Sequence, residues 1–236
     1  MRKLLMVMVV IMAVVMVAGV ASAALLGIGK YMNNLPRIQF DSTGTITYDA
    51  TNNLFTLTAI DNKLILPDGT EITLYDTDDS SVNLKTELRI QIYVDSSGNK
   101  TGGVTDYDMV EKVTVGSVTI NGVTYNAGDV LLQAEVKAFG WGYITDIYGN
   151  TYPVVEFLFD PISGGLVNQS LWPSPTPLTA LWAHGAPRYT FNWSNDFEIL
   201  GIEGKKFPTP EPATLLLLGT GLIGIAQLGR KKLRKK

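Results

Sequence analysis

Leu88-Arg89-Ile90-Gln91-Ile92-Tyr93-Val94 decides the fold. Leu88, Ile90, Ile92 and Val94 share one face of an extended chain and Arg89, Gln91 and Tyr93 the other, the period of a strand with one buried and one wet face. Upstream, residues 44–49 and 54–60 are rich in threonine, β-branched and aromatic residues around Ala50-Thr51-Asn52-Asn53, and they read as a hairpin. A second hairpin, residues 63–66 and 70–75, turns at Pro67-Asp68-Gly69, where proline presets φ and glycine accepts a positive one. Downstream, Ser96-Ser97-Gly98-Asn99 closes the central strand, and residues 110–120 form a strand that turns at Asn121-Gly122. Leu132, Ala134, Val136 and Ala138 then alternate with Gln133, Glu135 and Lys137, and Val155, Phe157 and Phe159 with Val154, Glu156 and Leu158. Glycines and prolines predict a long, strand-poor excursion over residues 161–187, a last strand region over 188–200 and a linker over 201–209. No helical period of useful length occurs between residues 37 and 200, so this domain is expected to be all-β, an antiparallel β-sandwich or partly open barrel.

The two ends carry different signals. Arg2-Lys3, an apolar run over residues 4–17 and Ala21-Ser22-Ala23 before Ala24 form a signal peptide over residues 1–23, with an irregular lead-in over 24–36. At the other end, Pro210-Glu211-Pro212 precedes an apolar run over residues 213–229, and Arg230, Lys231, Lys232, Arg234, Lys235 and Lys236 form a basic stop. Seventeen apolar residues make roughly 26 Å of helix, enough to cross a bilayer core of about 30 Å when flanking cations snorkel. The β-domain is therefore expected between a signal helix and a transmembrane helix, with both basic ends cytoplasmic and residues 24–209 outside.

The formal charge of −3 conceals an acidic body. Eight of the 19 Lys and Arg lie in the two basic ends, leaving 19 − 8 = 11; one of the 22 acids is Glu211, leaving 21, so residues 24–209 carry about −10. That balance argues against nucleic acid as a partner, because neutralising phosphates needs a basic surface. With no cysteine, disulfides, zinc-thiolate sites and cysteine nucleophiles are excluded.

Pro210-Glu211-Pro212-Ala213-Thr214, the apolar run and the basic end together resemble the PEP-CTERM sorting signal of exported proteins in two-membrane bacteria that make exopolysaccharide. The amino-terminal signal implies passage through the secretion translocon and cleavage by signal peptidase after Ala23, the alternative being an uncleaved signal anchor, and the resemblance implies a transient inner-membrane anchor. It further implies recognition at Pro210-Glu211-Pro212 by an exosortase, and an end at the cell surface or in an exopolysaccharide or biofilm matrix. The runs over residues 116–122 and 128–141 resemble, loosely, the bodies of other PEP-CTERM proteins, and bring no activity with them.

Within the body, chemistry has few places to reside, and it reads as non-enzymatic. His184 is the single histidine, so a serine nucleophile would need it, and no G-x-S-x-G elbow is present. Glu135 and Glu156, with Asp160 nearby, are the carboxylates that glycoside hydrolysis would pair. Calcium has two candidate loops, Asp76, Asp78 and Asp79, and Asp95, Asn99, Asp106 and Asp108; the same residues serve turns through their own backbone. Trp141, Trp172, Trp182 and Trp193 all fall in the last 70 residues of the body, either stacking on sugars as in a carbohydrate-binding module or packing a core.

Overall fold

The computed structural model describes residues 25–26, 35–78, 81–169, 171–172 and 179–208. The signal peptide with Ala21, Ala23 and Ala24, Asp79, the transmembrane segment, Pro210-Glu211-Pro212 and the basic tail lie outside the described residues, as does the side chain of Asp78.

Among the described residues fourteen strands form: β1 (Arg37–Asp49), β2 (Leu54–Asp61), β3 (Lys63–Ile65), β4 (Glu71–Thr73), β5 (Tyr75–Asp78), β6 (Ser81–Val94), β7 (Lys100–Gly103), β8 (Met109–Val115), β9 (Ser117–Ile120), β10 (Val123–Asn126), β11 (Val130–Thr145), β12 (Thr151–Ser163), β13 (Thr179–His184) and β14 (Phe197–Pro208), with one short helix, α1 (Gly165–Asn168). The class is nearly all antiparallel β, as the alternation in residues 88–94 predicts. The pairing also closes: β1, β2, β6, β8, β11, β12, β13 and β14 follow one another, and β14 pairs back onto β1. Closure leaves no free edge among these eight strands.

Two expectations are corrected. The predicted excursion over residues 161–187 contains β13, and residues 201–208 of the predicted linker over 201–209 belong to β14, which pairs with β13 and β1 together. Ala180, Leu181 and Ala183 in β13 are all buried, so the segment has no polar alternation to announce it. In β14 the inward positions Ile202, Gly204 and Lys206 include a glycine and a lysine, a composition that mimics a loop. The strand expected over residues 110–120 also breaks at Gly116, whose φ is +70°. The Asn121-Gly122 hairpin forms as read, both residues holding positive φ.

Leu88, Ile90, Ile92 and Val94 point inward and are buried, joined by Phe40, Ile46, Phe55, Leu57, Phe157 and Phe159. Each contributes about 1.5–3 kcal/mol by leaving water. Against this apolar interior stands one ionic cluster. Lys206 of β14, Asp61 of β2 and Glu111 of β8 are all fully buried. Lys206 Nζ donates to Asp61 Oδ1 at 2.8 Å, contacts Glu111 Oε2, and lies 6.0 Å from the centre of the Phe40 ring. Two carboxyls thus share one cation. Burial, with the neighbouring Glu111 charge, pushes Asp61 up to about 8 despite Lys206. Burial raises Glu111 as well, and Lys206 is held above the usual lysine value because Asp61 and Glu111 outweigh its own desolvation.

A carboxyl whose folded pKa is raised stabilises the fold fully below its unfolded pKa, and that contribution fades as pH rises toward the folded value. Urea unfolding of the exported protein should therefore show stability falling between pH about 4 and about 8, and Asp61→Asn should flatten that slope. Lys206→Met should cost about 3–5 kcal/mol by leaving two carboxyls without a cation. A Lys206→Met protein as stable as the parent would show that the cluster is not coupled to folding.

Candidate functional site

Three of the four tryptophans are structural. Trp172 is fully buried and its Nε1 donates to Thr179 Oγ1 at 2.7 Å. Trp193 is 5% exposed, stacked on Phe191 with centroids 5.5 Å apart and edge-on to Tyr48 at 5.1 Å. Trp141 lies 5.3 Å from Trp193 and donates Nε1 to Gly98 O at 3.0 Å. Gly98, with φ of +84°, presses its Cα against both indoles, which leaves no room for a side chain there. These rings fasten the β6–β7 turn and the segment before β14 to the core.

Trp182 is different. It is half-buried on β13, on a face lined by Gln39, Asp41, His184, Glu203, Gly204 and Lys205, around a cavity of about 320 Å³. Register builds this site: Trp182 stands opposite Lys205, His184 opposite Glu203, and Gln39 of β1 opposite Lys205 from the other side. His184 Nε2 is 2.8 Å from Glu203 Oε1, and its ring is held edge-on by Trp182 at 4.8 Å and by Tyr152 at 5.7 Å. An indole wall beside an amide, two carboxylates, a lysine and an imidazole can stack on a sugar ring and hydrogen-bond its hydroxyls. Among the described residues no serine, threonine or cysteine lines the cavity beside His184.

Sequence reasoning singled out Trp182 and His184 but missed Gln39, Asp41, Glu203 and Lys205. Glu203 and Lys205 alternate with Ile202 and Gly204, a signal obscured by the inward Lys206.

Among the described residues the other candidates do not assemble into sites. Glu156 is buried opposite Gly140 of β11, and Glu135 lies five residues further along that strand, roughly 17 Å away at strand rise. The backbones of the two glutamates are thus farther apart than the carboxyl groups of either glycosidase geometry. Burial, with the adjacent Asp108, raises the Glu135 pKa. Asp95 closes its own turn: Oδ1 accepts from Ser97 N and Asn99 N, Oδ2 from Asn99 Nδ2, and these bonds hold its pKa low. Asp146 repeats the arrangement with Tyr148 N and Asn150, a twin loop visible in the sequence as Asp-x-x-Gly-Asn. Asp108 is 2% exposed and accepts from Val104 N and Val136 N. Asp106 holds a positive φ of 74°, and Asp76 pairs with Leu84 across β5 and β6. Among the described residues no group of three His, Asp or Glu is placed to hold a metal.

Fold and sequence together define an antiparallel β-domain joined to a C-terminal address. Residues 208–232 match the PEP-CTERM protein-sorting motif, which implies export, membrane-associated sorting in Gram-negative bacteria and processing by an exosortase. No curated protein and no solved structure matches the chain.

Because Trp172 and Trp193 fill the core, replacing either by alanine should cost about 3–5 kcal/mol in urea unfolding. Trp182→Ala should cost less than about 1.5 kcal/mol. A Trp182→Ala loss as large as the other two would make this indole another core ring.

Proposed function

We propose that this is a non-enzymatic exported protein of the cell surface or extracellular matrix, associated with exopolysaccharide. It passes through the translocon, loses its signal peptide after Ala23, is held by its tail, and is cut near Pro210-Glu211-Pro212. One observation supports this most: Pro208, the last residue of β14, is also the first residue of the sorting motif. From Pro208 to the first apolar residue, Ala213, five residues reach at most about 17 Å. The folded domain is therefore kept against the membrane until cleavage frees it.

The specific observation favouring a second role is Trp182, a half-buried tryptophan that borders an open polar cavity. It supports a carbohydrate-binding module, with Trp182 stacking on a sugar and Gln39, Asp41, Glu203 and Lys205 reading hydroxyls. An extracellular polysaccharide hydrolase is disfavoured by the separation of Glu135 from Glu156.

Mass spectrometry of the native protein from the medium should find a start at Ala24 and an end near Pro210. Replacing Pro210, Glu211 and Pro212 together by alanine should leave a full-length tail in the membrane fraction. Release of the native protein with an intact tail would contradict processing. In gels containing the producing organism's polysaccharide, Trp182→Ala should migrate faster than the parent at unchanged melting temperature, whereas equal retardation would remove the carbohydrate role.

A further inference from the structure

We propose that the outer face of β2, β6 and β8 is a second binding site, a groove that takes an acidic glycan through its carboxylates. The groove encloses about 530 Å³ and is lined by Thr43, Thr58, Lys85, Glu87, Arg89 and Lys112 among others. Strand register assembles it. Ala59, Leu88 and Glu111 point inward and are buried, so their neighbours Thr58, Glu87, Arg89 and Lys112 stand outside. Thr58 lies opposite Arg89, and Glu87 opposite Lys112. Arg89 and Lys112 are therefore diagonal neighbours on adjacent strands, about 7–8 Å apart at the backbone.

The charge of this groove opposes that of the domain. Three cations and one carboxylate give 3 − 1 = +2 here, within a body of about −10 that has only 11 Lys and Arg. Several of the other cations are already engaged: Lys63 with Glu71, Lys100 with Asp108, and Lys206 in the interior. In the groove Lys85 pairs with Glu87, while Arg89 and Lys112 are exposed and form no ion pair with any described residue. Concave walls concentrate such a field on whatever anion enters.

The chemistry fits a carboxylated sugar chain. The Arg89 guanidinium presents a planar fork that matches a carboxylate. Thr43 Oγ1 donates to Ile60 O at 2.6 Å and keeps lone pairs to accept from a hydroxyl, and the exposed Thr58 adds a second hydroxyl partner. A polymer with a phosphate at every unit would meet repulsion from the acidic remainder, whereas a glycan with spaced carboxylates needs few cations. The groove is distinct from the Trp182 cavity: Gln39 and Asp41 border one and Thr43 the other, with the β1 irregularity at Ser42, φ 53°, between them.

Calorimetry on the full chain in a nonionic detergent tests this with an oligogalacturonate and its neutral methyl ester. The acid should bind and the ester should not, and added salt should weaken binding. Arg89→Gln with Lys112→Gln should weaken it about tenfold, Glu87→Gln should tighten it about threefold, and Trp182→Ala should leave it unchanged. Equal binding of acid and ester, no binding of the acid, or an unchanged double variant would overturn the proposal. So would loss through Trp182→Ala alone, or tighter binding of a short single-stranded DNA than of the galacturonate. None of these results depends on sorting, so failure here leaves the processing proposal standing.

Discussion

β14 holds the domain closed, and Lys206 locks β14 in place. The strand runs antiparallel to β13 on one side and to β1 on the other, so without it both would be open edges. Its Lys206 reaches Asp61 on β2 and contacts Glu111 on β8, joining three non-consecutive strands through one buried cation. A buried cluster of this kind specifies register more than it adds stability, because each charge is costly unless its partners arrive together. A one-residue slip of β14 would turn Lys206 outward and leave two carboxyls alone in an apolar interior.

Closure also separates two surfaces of opposite character. Apart from the buried Lys206, Asp61 and Glu111 cluster, mostly apolar side chains point into the ring and polar ones such as Thr58, Glu87 and Lys112 point out, the reverse of barrels that meet lipid with their outer face. Both cavities lie on that outer face. The irregularity in β1 near Ser42 divides that face, with Trp182, His184 and Glu203 on one side and Lys85, Arg89 and Lys112 on the other. Such irregularities commonly re-aim strands beside binding sites.

The sequence made the alternating strands legible because residues 88–94 and 132–138 keep one face apolar and one polar, and the turns at Pro67-Asp68-Gly69 and Asn121-Gly122 carry their own chemistry. β13 was not legible, being short and buried along most of its length, and β14 was hidden by Gly204 and the inward Lys206. Missing β14 meant missing Glu203 and Lys205, two of the six side chains that line the Trp182 site. Trp172, Trp182 and Trp193 look alike in sequence; only burial distinguishes the two core rings from the one at a cavity. Lys85, Arg89 and Lys112 belong to two strands, and only the β6–β8 register brings them together. The sorting signal was legible at once, because its residues are contiguous and need no fold to be recognised.

The integral place of β14 is tested most directly by thermal unfolding of two chains that begin at Ala24, one ending at Pro208 and the other at Leu200. The longer chain should unfold in one cooperative transition at the temperature of the protein that carries the whole tail. The shorter chain, lacking Ile202, Lys206 and Phe207, should show no cooperative transition. Cooperative folding of the chain that ends at Leu200 would contradict a ring closed by β14 and would make residues 201–208 a linker after all.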